Sequence, residues 1–388
     1  MSQSFADLGI SRHVAQALTK QGVEEPFPIQ TMVIPEVLAG QDVLAQSPTG
    51  SGKTIAFTAP ILDKIEPGDS RPAALVLAPT RELAAQIVEQ ARPLAHARNL
   101  QVLAVYGGVG IEPQIKKARK AHLLVATPGR LLDLLDRRAL TLEHVKVAVL
   151  DEADRMLDMG FRPDVERILD RTPSERQTLL FSATLQGEVD SLAKRYTRNA
   201  RRHENVVSEG TRPDVEHRFL GVKHEHKLDH LVDELKRERD GLALVFVRTR
   251  RGADRLAKRL ASRGVNAAAM HGGKSQGQRT RALAAFEKGN LEALIATDVA
   301  ARGIDVTGIT HVINFDPPED RDGYTHRIGR TARAGRSGVG VTFVMADQAH
   351  EVGLIARDLD LRTEFADSGL HSGRSHGGGG GRRRQNRR

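Results

Sequence analysis

Short apolar runs of strand length return through the first half of the chain and then return again through the second. The first half carries DVLAQS (42–47), ALVLAP (74–79), VLAVY (102–106), LLVAT (123–127), VAVLDEAD (147–154) and TLLFSAT (178–184). The second carries LALVFVRT (242–249), AAAMHGG (267–273), EALIATD (292–298), THVINFD (310–316) and GVTFVM (340–345). Segments of helical period lie between them, such as TIAFTAPILDKI (54–65) and TRELAAQIVEQARPLA (80–95). Continuous apolar strands alternating with helices indicate a parallel sheet covered on both faces. Two such sets in 388 residues predict two tandem α/β domains of parallel-sheet type.

An internal echo supports this division. Tyr106-Gly107-Gly108 precedes LLVATPGR in the first half, and His271-Gly272-Gly273 precedes ALIATDVAARG in the second. Two copies of one α/β unit would produce it, although many α/β proteins place glycine and threonine at strand ends. The polar stretch 202–217 separates the sets. The expected boundaries are a first domain over 1–207, a linker over 208–215, a second domain over 216–365 and a disordered tail over 366–388.

Composition narrows the class. There is no cysteine, so disulfides and thiolate metal sites are excluded, in keeping with a reducing compartment. The N-terminal segment lacks the basic start and apolar run of a secretory signal, and no apolar stretch approaches the ~20 residues of a membrane span. A cytoplasmic location without membrane attachment is expected. The tail holds six arginines against one acid, Asp367, which is more than half of the net charge of +9. The tail also holds seven glycines from 369 onward, so it cannot bury enough surface to order itself. The body is only mildly basic.

The stretch SPTGSGKT (47–54) ends like a phosphate-binding loop, yet it lacks the early glycine of the strict pattern. Its context is a strand before and a helix after. In that setting backbone N–H groups and the helix dipole favour an anion, with Gly50 and Gly52 allowing close approach. Lys53 would meet the phosphates and the Thr54 hydroxyl would bind Mg²⁺. Asp151-Glu152, ending an apolar strand, supplies the carboxylates such a site needs: Asp151 for the metal and Glu152 to polarise water. A charged strand-to-helix turn is the bland alternative for DEAD taken alone.

The chain resembles the DEAD-box RNA helicases of the short bacterial kind. The resemblance spans roughly residues 5–345 and rests on PFPIQ (26–30), SPTGSGKT, PTRELAAQ (79–86), Gly107-Gly108, TPGR (127–130), DEAD (151–154), SAT (182–184), VFVRTR (245–250), HGG (271–273), QGQR (276–279), ATDVAARGID (296–305) and HRIGRTARAG (326–335), all in family order. It implies two RecA-like domains, ATP as substrate and Mg²⁺ beside it. It also accounts for the missing glycine, because the family's own loop has none there. Ser47 and Pro48 depart from that loop's usual residues, and Phe27 stands where a small residue is usual.

The resemblance implies roles for individual residues. Ser47, Pro48, Thr49, Gly50, Ser51, Gly52, Lys53 and Thr54 would cradle the nucleotide, Gln30 would pair with adenine, and Phe5 would pack near the base. Gly303 and Asp305 would reach the nucleotide from the second domain. Arg330 and Arg333 would act as arginine fingers, joining Lys53, Asp151 and Glu152 in catalysis. Asp154, Ser182 and Thr184 would couple hydrolysis to movement through hydrogen bonds, and His326 would bridge the domains. RNA would meet Pro79, Thr80, Arg81, Gly108, Thr127, Gly129 and Arg130 in the first domain. In the second it would meet Arg248, Gly272, Arg279 and Thr297. Small hydroxyls, glycine N–H groups and arginines contact phosphates and sugars, so little sequence preference is expected. Only 4% of residues are aromatic, which argues against a base-stacking platform. Two rivals stand beside the RNA helicase: a DNA translocase on the same paired fold, disfavoured by the motif combination, and an ATP-gated RNA clamp that rarely unwinds.

Overall fold

The strands of the first half line up side by side in one parallel sheet. They are β1 (Val43–Gln46), β2 (Ala74–Leu77), β3 (Val102–Val105), β4 (Leu123–Ala126), β5 (Val147–Leu150), β6 (Gln177–Ser182) and β7 (Arg201–Glu204). The computed structural model describes residues 3–47, 51–204, 215–237, 241–301, 306, 308–332 and 337–370. Among these residues the sheet order is β3-β4-β2-β5-β6-β1-β7, with every pairing parallel.

Alternation along each strand builds two apolar layers. Val43, Ala74, Val76, Val125, Val149 and Phe181 face one layer. That layer is closed by α1 (Arg12–Thr19), α2 (Pro28–Leu38), α3 (Lys53–Lys64) and α4 (Arg81–Ala97). Leu44, Leu75, Leu77, Leu124, Leu150 and Leu180 face the opposite layer. It is closed by α5 (Ile111–Ala118), α6 (Pro128–Asp136), α7 (Ala153–Asp158), α8 (Arg162–Leu169) and α9 (Glu188–Tyr196). Burial on both faces is why these strands read as unbroken apolar runs. Each fully buried Val, Leu or Phe stabilises the layer by about 1.5–3 kcal/mol.

The second half repeats the plan as a separate compact unit. Its strands are β8 (Val215–Gly221), β9 (Leu242–Phe246), β10 (Ala267–Met270), β11 (Ala293–Ala296), β12 (Ile309–Asn314) and β13 (Gly338–Val344). Their order is β10-β11-β9-β12-β13-β8, again all parallel. Counted from each unit's first strand, both sheets run third, fourth, second, fifth, sixth, first; the first unit adds β7 at its edge. This shared order supports the duplication that the glycine echo suggests. Helices α10 (Lys227–Lys236), α11 (Arg250–Ala261), α12 (Gln276–Glu287), α13 (Asp298–Ala301), α14 (Arg321–Ile328), α15 (Ala349–Asp358) and α16 (Arg362–Ala366) complete the unit.

Two expectations change in detail. The polar stretch 202–217 that separates the two sets contributes strand at both ends: β7 is an exposed edge strand paired with β1, and β8 starts at Val215. The tail expected from 366 starts later. Ser368 donates to Phe365 O, and Leu370 lies where a side chain on Gly221 would meet it at 3.3 Å. Apolar anchors at Phe365 and Leu370 account for this. The rest of the tail, 371–388, and most of the linker, 205–214, lie outside the described residues. No helix among the described residues is long and apolar enough to cross a membrane.

Candidate functional site

Parallel strands end together, and the motifs sit at those ends. Register places Gln46 of β1 beside Ser182 of β6, and Leu150 of β5 beside Leu180 of β6. The residues that follow β1, β5 and β6 are the phosphate loop, DEAD and SAT, so adjacency in the sheet brings the three motifs to one edge. Ser47 N–H donates to Ser182 O at 2.9 Å, tying the loop to its neighbour. On the other half of the sheet β3, β4 and β2 end in Gly107-Gly108, TPGR and PTRE. The sheet order thus separates the candidate nucleotide residues from the candidate RNA residues.

Gly52 caps α3 with φ +88°, a conformation glycine adopts without strain. Any side chain there would strike the Phe27 ring and the Gln30 amide at 2.6 Å. Lys53 is buried, and its Nζ donates to Ser47 O at 3.0 Å. Ser47 and Ser51 share a hydroxyl hydrogen bond of 2.5 Å. Thr54 lies in the first turn of α3, half-buried. Pro48, Thr49 and Gly50 lie outside the described residues. Gln30 is fully buried; its Oε1 accepts from Phe27 N–H at 2.9 Å and its Nε2 donates to Gly52 O at 3.0 Å. Phe5 is 3% exposed, within the apolar layer of the first unit.

Asp151 is buried, and burial pushes its carboxyl up to about 6, against the pull of the Lys53 ammonium. Its Oδ1 accepts from Glu152 N–H at 3.0 Å. Glu152 is a non-glycine residue in the left-handed region, φ +51° and ψ +52°, where it opens α7. Such conformations cost of order 1–3 kcal/mol and gather at functional sites. Asp154 Oδ2 accepts from Ala183 N–H at 2.9 Å and Thr184 N–H at 3.2 Å, and Ser182 Oγ accepts from Asp154 N–H at 3.3 Å. The bonds implied between SAT and Asp154 are therefore present; Thr184 contributes its main chain.

Thr80 caps α4, its hydroxyl accepting from Leu83 N–H at 3.2 Å, and Pro79 before it is buried. The cap aims Arg81 at the glycine loop after β3. A side chain on Gly108, φ +83°, would lie 2.0 Å from Arg81 Nη1. Arg130 reaches the same loop, donating to Val109 O at 3.2 Å and to Gln114 Oε1 at 3.0 Å. Thr127 opens α6 and Gly129 is exposed in its first turn. Of the first-unit RNA candidates, the structure brings Arg81, Gly108 and Arg130 together at this glycine loop.

In the second unit Arg248 is exposed, its N–H held by Asp316 Oδ2 at 2.9 Å, and Asp316 in turn takes Lys227 Nζ at 2.7 Å. Gly272 is exposed. Arg279 and Thr297 are buried, as is Arg330, whose Nε donates to His326 O at 3.4 Å. His326 lies half-buried on α14. Gly303, Asp305 and Arg333 lie outside the described residues. Two residues escaped the sequence reading. Arg155 forms a buried ion pair with Glu152, signalled by their spacing of three. Arg250 opens α11 behind the capping Thr249, as Arg81 opens α4 behind Thr80. Its guanidinium would meet a side chain on Gly272 at 3.3 Å. The signal was the Thr-Arg pair repeated after the second strand of each unit.

Among the described residues no three or more His, Cys, Asp or Glu side chains are grouped to hold a metal ion alone. The donors present, a buried carboxylate at Asp151 and a hydroxyl at Thr54, suit a hard cation that takes its other oxygens from phosphate and water, as Mg²⁺ does.

The DEAD/DEAH box helicase family model matches residues 27–192, and that of the helicase conserved C-terminal domain matches 226–335. The DEAD-box ATP-dependent RNA helicase CshA of Geobacillus kaustophilus (strain HTA426) is 44% identical over 362 residues, covering 93% of this chain and 78% of that protein. CshA of Bacillus subtilis (strain 168) is 44% identical over 345 residues, covering 89% and 70%. Among solved structures, S. cerevisiae Dbp5 bound to RNA and ADP BeF3 superposes with a TM-score of 0.85 at 31% identity, covering 94% of each chain. Mss116p bound to ssRNA and AMP-PNP gives 0.82 at 28% identity, covering 92% of this chain and 78% of that one.

Proposed function

This chain belongs to the DEAD/DEAH box helicase family, and from that membership we propose that it is an ATP-dependent RNA helicase whose first unit binds and hydrolyses ATP while both units grip the RNA backbone. The observation that carries the reading is the sheet register that sets Ser47, Asp151 and Ser182 at neighbouring strand ends.

The individual roles follow from the chemistry. Lys53, released from Ser47 O, meets the β- and γ-phosphates. Glu152 polarises the attacking water. Gln30 reads adenine: an amide has two N–H groups and two acceptor sites, and one of each is engaged by Phe27 and Gly52. Asp151 and Thr54 would hold Mg²⁺, which supplies charge neutralisation at the phosphate oxygens. Asp154 passes a change at DEAD to SAT through its bonds to Ala183 and Thr184. Arg330 and Arg333 are the second unit's contribution to hydrolysis, through guanidinium groups suited to the charge of phosphoryl transfer. Arg81, Arg130, Arg248 and Arg250 bind phosphates, with Thr80, Thr127 and the glycine N–H groups between them. ATP and RNA binding are then reciprocally coupled. A first domain over 1–207, a second that opens with β8 at Val215 and runs past 365, salt-sensitive RNA affinity from the arginines of the tail, and a cytoplasmic location belong to this proposal.

Multiple-turnover separation of a short RNA duplex tests it. ATP-dependent release of the strand is expected. ATP-dependent retention of RNA without strand release would replace the helicase with a clamp.

A further inference from the structure

We propose that Arg155 is a positioning residue that holds the Glu152 carboxylate in the orientation hydrolysis requires. The inference rests on the reading of Glu152 as the residue that polarises water.

Glu152 sits where backbone and side chain both need support. Its φ of +51° is disfavoured for a residue with a Cβ, and its side chain is only 8% exposed. A buried carboxylate persists only if it is paired and hydrogen-bonded. Arg155, three residues on and 5% exposed, donates from Nη1 to Glu152 Oε2 at 2.5 Å. Its own N–H donates to Asp154 Oδ1 at 2.8 Å. One residue therefore fixes two carboxylates of the motif, Glu152 by side chain and Asp154 by main chain. Asp154 also receives the SAT backbone, so the pair places Glu152 relative to the segment expected to transmit movement.

Of the elements that pack on α7, β6 carries no charged residue and α9 carries four. The charged side chains of α9 pair elsewhere: Glu188 with Arg162, Asp190 with Lys194 and Arg202, and Arg195 with Glu166 and Asp170. A charge-assisted hydrogen bond in a buried corner restricts geometry far more than an exposed pair of the same spacing. Met fills much of the arginine volume without the charge; Lys keeps the charge without the planar fork.

The test is RNA-stimulated ATP hydrolysis by the full chain carrying Arg155→Met, Arg155→Lys, Glu152→Gln, or Glu152→Gln with Arg155→Met. Arg155→Met is expected to lower kcat by about tenfold or more with ATP KM changed by less than about twofold, and Arg155→Lys to recover most of the loss. The double variant is expected to be no slower than Glu152→Gln alone, since Arg155 acts only through Glu152. It also carries no unpaired buried carboxylate, so it serves where Arg155→Met fails to fold. A double variant clearly slower than Glu152→Gln, or an Arg155→Lys as slow as Arg155→Met, overturns the proposal while leaving Glu152 in place. Wild-type turnover by Glu152→Gln overturns the reading of Glu152 itself.

Discussion

The two units thread their strands in the same order, yet their first and fifth strands end differently. In the first unit β1 runs into a phosphate loop and β5 into Asp151-Glu152. In the second, β8 is followed by His224–His226 and α10, and β12 by Phe315-Asp316, whose carboxylate holds Lys227 and the Arg248 main chain. The strands that agree are the second and third. In both units a threonine caps the next helix, an arginine follows it, and the guanidinium lies over a glycine loop: Arg81 over Gly108 and Arg250 over Gly272. The half of the sheet proposed to grip the backbone is thus repeated, and the half proposed to carry hydrolysis is specialised in one copy. A duplicated grip suits a ligand that is itself a repeating backbone.

Breaking the specialised half should have the largest effect. Glu152→Gln is expected to lower kcat by about 10²–10⁴ while both ATP and RNA still bind, read by single-turnover hydrolysis and equilibrium binding. No substitution in the second unit's β12 end should reproduce that pattern of intact binding with stalled chemistry.

Breaking the shared half should give smaller, matched effects. Arg81→Ala and Arg250→Ala are each expected to weaken RNA binding by about tenfold and to reduce the salt slope by about one. Measurement of Kd against salt compares them directly. A loss confined to Arg81→Ala would break the equivalence of the two copies.

The glycines sharpen the comparison further. Gly108 has φ +83° and a Cβ there would fall 2.0 Å from Arg81, whereas Gly272 has an ordinary φ and 3.3 Å of room to Arg250. Gly108→Ala should therefore weaken RNA binding more than Gly272→Ala, by a few-fold, since a left-handed alanine costs roughly 1–2 kcal/mol. Equal effects would show that the arginines, rather than the loop backbone, decide affinity.

The strands and motif positions were legible because burial on both faces writes itself as continuous apolar runs. β7 was not, because RRHE pairs at an exposed edge and needs no apolar residue. Gln30 illustrates partial legibility. PFPIQ marks a helix start, and a glutamine three residues past the cap commonly bonds back to it, as Gln30 does to Phe27. Its second bond, to Gly52 O, crosses 22 residues and no local pattern encodes it. Arg155 and Arg250 carried signals in spacing and repetition, but their meaning depended on knowing which side chains were buried and which loops lay opposite. Arg279, Thr297 and Arg330 were expected as ligand contacts and are buried in the second unit, a consequence of packing that their charge and polarity hid.

The most direct test of this division of labour is steady-state ATP hydrolysis by the full chain, measured alone, with single-stranded RNA, and with DNA of the same sequence. The account predicts stimulation by RNA well above that by DNA, because hydrolysis housed in one unit answers to a backbone gripped by both. Equal stimulation by the two polymers, or turnover indifferent to either, would contradict it.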